Sequence, residues 1–422
     1  MPDPSAPQPC CEEMARLTRR GVLRGLALAG GAATFGSAVV TAAPASATEG
    51  SSGSVLVVLS MRGAADGLSL VVPHGDPVYY AARPRIGVPR ERLIAADAFY
   101  GLHPALAPLL PLWNGGRLAA VHATGLAAPN RSHFSAMEEV EDANPGSTVR
   151  EGWLNRVVGL TPGDSPLQAV HMGETLPSTA LFGPAPTFAT RSVDDVKITG
   201  QDQYDTGGRR SSLETLWSRH SGTDAKGLLA RGMGETFSAV DGFSPARAVP
   251  DTSGSYPRSD LAQALADVAR TIKADVGVEV FTVDHGDWDM HSGLGTLEWG
   301  RMGTNAGEWA AAIAAFFADL GRVADRVTLV TMSEFGRRVA ENDNYGLDHG
   351  YGNVMFVAGA GVAGGRYYGT FPGLAATLDA DLLVTTDYRQ VLGEIVTRRF
   401  PAASLSRVFP GLSYSPVGFM GA

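Results

Sequence analysis

Cysteine is almost absent. Cys10 and Cys11 are the only two in 422 residues, so beyond them the chain cannot form a disulfide, a zinc–thiolate site or a thiol nucleophile. A basic excess is missing as well. With 34 Lys+Arg against 43 Asp+Glu the formal net charge is -9, and the basic stripe of a general nucleic-acid binder is excluded. No apolar run suits a permanent membrane span. The best stretch, from Gly25 to about Ala42, is rich in Gly and Ala, which hydrocarbon stabilises only weakly. The sequence also contains no G-x-S-x-G, no H-E-x-x-H and no P-loop. Gly359–Gly364 has the G-x-G-x-x-G spacing, but Gly365, Gly369 and Pro372 follow, so no helix opens there to hold a pyrophosphate.

Hydrophobic residues make up 44% and charged residues 18%, the balance of a globular chain with a substantial core. The first 47 residues read as an address. Thr18-Arg19-Arg20-Gly21-Val22-Leu23-Arg24 precedes the mildly apolar stretch, and Ala45-Ser46-Ala47 supplies a small-x-small cleavage site. That order is a secretory signal, and the paired arginines make it a twin-arginine type. The expected partner is the twin-arginine export machinery. The expected destination is periplasmic, cell-wall-associated or extracellular. Cleavage leaves 48–422, a cysteine-free and slightly more acidic chain of about 375 residues.

Val55–Leu59 is a continuous apolar run of strand length, and similar runs recur at Leu118–His122, Ala169–Met172, Val278–Val283, Val327–Met332 and Val354–Ala358. Uninterrupted runs of this kind fit strands buried on both faces. Helical patterns lie between them, at Ser132–Val140, Leu213–His220, Leu261–Lys273 and Glu308–Leu320, and from the Thr386-Asp387 cap to about Phe400. The alternation predicts an α/β fold with a mainly parallel sheet and helices on both faces. The stretch 183–258 has Gly-Gly, Ser-Ser and Pro clusters. It reads as a cap or insertion with two helical pieces and no strand.

The reactive side chains gather after four of these strands. The loops are Met61–Gly67, Thr124–His133, Asp284–His291 and Ser333–Arg337. In a parallel sheet the carboxyl ends share one edge, where ligands bind. The densest segment, Asp284–His291, holds three aspartates and two histidines, and Asp348-His349 forms a second pair. Carboxylate and imidazole together suit divalent cations, in a mononuclear or a dinuclear site.

Met61–Leu68, Arg131-Ser132-His133-Phe134, Trp288-Asp289-Met290-His291, Ser333–Arg337 and Asp348–Asn353 resemble the signatures of the exported domain-of-unknown-function 1501 family. That family looks like a distant branch of the alkaline phosphatase and sulfatase superfamily. The resemblance implies an alkaline-phosphatase-like α/β sandwich with a metal site at the carboxyl edge of its sheet. In the superfamily an early Asp, a Ser/Thr nucleophile, an Asp-x-x-x-His and an Asp-His pair hold two metals. Asp348-His349 matches the last pair. Asp287 has the spacing to His291, whereas Asp289 matches the nearer family, so the two compete for one role. No histidine follows His349, so the superfamily's late ligand histidine is missing.

What the resemblance and the clustering imply together is an exported metal-dependent hydrolase of phosphate- or sulfate-type esters. Asp66, Asp289, His291, Asp348 and His349 would be ligands to zinc, calcium or magnesium. Ser132 would be the nucleophile, Glu334 a base or extra ligand, and Arg62, Arg131 and Arg337 would hold the anion of a small or polymeric substrate. The alternative is a non-catalytic envelope binding protein that keeps the fold with a degenerate site.

Overall fold

The computed structural model describes residues 32–35, 38–41, 53–160, 166–198, 208–220 and 224–421. Most of the segment read as an export signal therefore lies outside the described residues. The exceptions are Ala32–Phe35 and Ala38–Thr41, an antiparallel pair laid on one edge of the main sheet.

Nine further strands carry the sheet, eight along its main path and a short one, Thr386–Asp387, that pairs beside Leu118–Gly125. The eight are β1 Val55–Met61, β2 Leu118–Gly125, β3 Ala169–Met172, β4 Phe188–Thr190, β5 Val280–His285, β6 Val327–Met332, β7 Asn353–Gly359 and β8 Arg366–Tyr368. The spatial order is β4-β3-β5-β1-β6-β7-β2-β8. Neighbours pair in parallel except around β7, which runs antiparallel to both β6 and β2. All six strands expected from the apolar runs are present. The stretch 183–258, expected to hold no strand, supplies β4. Three residues behind a proline make too short a run for periodicity to reveal.

Strand β1 is buried along its whole length, and its pleat divides the interior in two. Val55, Val57 and Leu59 point into one core with Phe281, Val283 and Leu329; Leu56 and Val58 point into the other with Val280 and Val330. A strand exposes alternate side chains to opposite faces, so a continuous apolar run is what a helix-covered sheet requires. Each fully buried aliphatic side chain contributes about 1.5–3 kcal/mol. The first core is covered by helices Asp260–Ala274 and Arg301–Leu320, and the second by His133–Asp142, Trp153–Val158 and Tyr388–Arg399. The fold is thus α/β, a mainly parallel sheet with helices on both faces. Among the described residues no helix is long and apolar enough to cross a membrane.

This topology positions the polar loops. β1, β2, β5 and β6 share one direction, so the loops that follow them emerge at one edge. Because β7 is reversed, the segment leading into it reaches that same edge, and it carries Asp348 and His349.

Candidate metal centre

Backbone bonds first lock the loops to one another. Arg62 N donates to His285 O at 2.8 Å, and Trp288 N donates to Arg62 O at 3.2 Å. Gly63 has φ +106, and a Cβ there would lie 2.5 Å from Asp289 N. The close approach of these two loops therefore requires glycine. The segment before β7 is tied in by Leu347 N to Met290 O at 3.1 Å and by Arg338 N to Asp348 O at 3.0 Å. Trp288 is buried, and its Nε1 donates to His285 Nδ1 at 3.1 Å.

Four side chains converge on this frame. His349 Nε2 lies 2.9 Å from His133 Nε2 and 2.8 Å from His291 Nε2. Asp289 Oδ1 is 3.2 Å from His291 Nε2, 3.7 Å from His133 Nε2 and 3.8 Å from His349 Nε2. The other nitrogen of each ring faces an acceptor. His133 Nδ1 is 2.8 Å from Glu334 Oε1, His291 Nδ1 is 3.2 Å from Asp348 Oδ1, and His349 Nδ1 is 2.9 Å from Arg131 O. A carbonyl or an ionised carboxylate can only accept, so each Nδ1 must carry a proton. In neutral rings that leaves three Nε2 lone pairs and one carboxylate oxygen aimed at a common point. Such a set repels itself unless protons or a cation sit among the lone pairs.

The electrostatics agree. Burial works to lower the His133 pKa, but its contacts with Asp289 and Glu334 outweigh that and raise it to about 9. Burial likewise works to raise the Asp289 pKa, yet His133, His291, His349 and Arg337 hold it far below the usual carboxylate range. Glu334 is fully enclosed, which alone would raise its pKa. Its bonds to His133 and to Gly63 N, at 2.8 and 2.9 Å, pull it down and keep the carboxylate ionised. One proton on His133 satisfies one of the two imidazole contacts at His349. A divalent cation would satisfy every converging lone pair at once, with the outer nitrogens donating to fixed acceptors as ring ligands normally do.

The donor set fits a metal. His133, Asp289 and His349 offer ligand atoms within 4.8 Å of one another, and His291 stands beside them. A nitrogen-rich set with one carboxylate suits zinc better than calcium or magnesium, which prefer oxygen throughout.

The structure distributes the expected residues unevenly. Asp289, His291 and His349 meet at the centre. Asp287 does not: its carboxylate is 90% exposed and turned toward Arg301. Asp348 and Glu334 stand behind histidines as acceptors. Asp66, expected as a ligand, is elsewhere. It caps helix Gly67–Leu70 and is gripped by Arg83, with Nη1 to Oδ2 at 2.5 Å and Nη2 to Oδ1 at 3.0 Å. Ser132, expected as nucleophile, begins helix His133–Asp142, and among the described residues its hydroxyl makes no hydrogen bond to the centre. At that turn it is the His133 ring that reaches the centre, a residue the Arg131–Phe134 motif contains without marking it as a ligand.

The three arginines expected to bind an anion are all engaged. Arg62 Nη2 donates to Glu141 Oε1 at 2.7 Å, and its Nε is 3.0 Å from Asp284 Oδ2. The Arg131 side chain pairs with Asp381. Arg337 is buried, with Nε to Ala64 O at 2.7 Å, Nη1 to Leu347 O at 3.1 Å, and Nη2 to Gly63 O and Asp289 Oδ1 at 2.5 and 2.6 Å. It pins the loops and the one carboxylate of the centre.

A family model described as "Protein of unknown function (DUF1501)" matches residues 117–391. No curated protein matches the chain. Among solved structures, the chain is similar to the lipoteichoic acid synthase LtaP from Listeria monocytogenes, at 10% identity and a TM-score of 0.29, over 83% of this chain and 73% of that one.

Proposed function

Since the chain belongs to the DUF1501 family, we propose that it is a metal-dependent hydrolase of phosphate- or sulfate-type esters whose cation is held by His133, His291, His349 and Asp289. The observation that carries the reading is the convergence of three imidazole Nε2 atoms on one carboxylate oxygen, each ring having its Nδ1 turned to an acceptor. A divalent ion bound there supplies Lewis acidity and a more acidic water.

The chain's own residues set up that chemistry. Glu334, Asp348 and the Arg131 carbonyl hold one proton on each outer ring nitrogen, which leaves the inner nitrogens to bind once a cation displaces the second proton of His133. Arg337 fixes Asp289. Side-chain exposures of 22% for His133, 30% for His291, 19% for His349 and 41% for Asp289 leave the centre open to an incoming ester, small or polymeric. Donors from Gly63 N, Ser333 Oγ and His133 Nδ1 make Glu334 a fixed carboxylate rather than a mobile base. In the same reading the chain is exported through the twin-arginine pathway and works in the periplasm, at the cell wall or outside the cell.

A second reading, a non-catalytic envelope binding protein, is favoured by one observation. Arg62, Arg131 and Arg337 are each paired with carboxylates, so none of the three stands ready for a substrate anion. The two readings part in an ester-hydrolysis panel run on metal-loaded protein. The hydrolase is expected to turn over at least one phosphate or sulfate ester and to lose that turnover in His349→Ala. Metal-loaded protein that is inert on every ester supports the binding protein instead.

A further inference from the structure

Resting on the cation site proposed above, we infer that the centre takes one divalent ion per chain, because the Arg337 guanidinium permanently fills the flank where a second would sit. The hydrogen-bonded unit contains three carboxylates, Asp289, Glu334 and Asp348, and one guanidinium, Arg337. With the three imidazoles neutral, as binding requires, these charges sum to two negative. One divalent ion balances them, and a second would leave a large positive excess in a partly enclosed site, where like charges repel strongly.

Geometry points the same way. Arg337 Nη2 donates to Asp289 Oδ1 at 2.6 Å, and its Nη1 lies 3.5 Å from His291 Nε2. The guanidinium thus rests against two of the four converging groups. It cannot give way readily, since its side chain is 1% exposed and the carbonyls of Gly63, Ala64 and Leu347 hold it from separate loops. Nor can it shed its charge, because guanidinium stays protonated in proteins. Asp66, another carboxylate expected as a ligand, is tied to Arg83 between side chains 2% and 0% exposed. Arginine therefore stands against two of the three carboxylates expected as ligands, and the third, Asp348, sits on the outer nitrogen of His291.

The test is a Co²⁺ titration of the metal-free full chain, followed by visible absorption and by native mass spectrometry. The expected result is a rise that breaks at one equivalent, a single bound ion by mass, and loss of both signals in His133→Ala. A break at two equivalents, with two ions by mass, overturns the single-ion inference while leaving the cation site intact. No uptake by the wild-type chain overturns both.

Discussion

Asp66 and Asp289 are aspartates on loops at the same sheet edge, yet their partners give them different roles. Asp289 faces three imidazoles as well as Arg337, whereas Asp66 faces Arg83 and the end of a short helix. Asp66→Asn is expected to destabilise the fold by about 3–5 kcal/mol in urea unfolding, because it leaves the Arg83 charge buried and uncompensated. Metal content per folded chain should not change. A folded Asp66→Asn protein that has lost its cation would restore Asp66 as a ligand. The sequence made three of the four converging residues legible, through Asp289, His291 and His349 in dense polar segments. It hid His133 because the motif around it also offers Ser132, whose hydroxyl suits a nucleophile equally well. Which nitrogen of a ring points inward depends on Glu334, 201 residues away in sequence, and no local pattern carries that.

At the scale of elements, the site depends on how closely loops after different strands approach. Gly63→Ala places a Cβ 2.5 Å from Asp289 N at a positive φ. The backbone strain is expected to cost about 1–3 kcal/mol and to weaken cation binding, since the loop carrying Asp289 must move. Isothermal titration with Zn²⁺ alongside thermal unfolding checks both effects. Unchanged affinity would show that this contact does not position the carboxylate. A cap provides a control far from the chemistry. Ser259 Oγ accepts from Ala262 N at the start of helix Asp260–Ala274, so Ser259→Ala should cost about 1 kcal/mol and leave metal uptake untouched. The central strands were readable because burial on both faces writes an unbroken apolar run into the sequence. The three-residue strand β4 was not, since its pairing with β3 rather than its composition makes it a strand.

Across the whole molecule, buried histidines tie the fold to pH. Burial lowers the pKa of both His103 and His122 from 6.5 to about 4. Between those values the unfolded chain binds protons that the folded chain refuses, so stability falls as the pH drops from 6.5 toward 4 and these two groups take no more below that. The loss is about 3 kcal/mol for each group. His122 packs against Tyr100 and Phe371, with ring centroids at 5.1 and 5.7 Å, so Phe should be tolerated there. His122→Phe is expected to flatten the decline in urea midpoint between pH 7 and 4. An unchanged slope would mean that His122 is not held neutral by the fold.

The sheet's role is to gather loops from distant parts of the chain at one edge, and the convergence of imidazoles there is the central observation. Metal content of the purified wild-type chain and of His133→Ala, measured by elemental analysis after removal of loosely bound ions, tests it most directly. The wild type is expected to hold close to one divalent ion per chain and His133→Ala close to none. A wild-type chain that contains no metal and takes none up on reconstitution would contradict the metal centre.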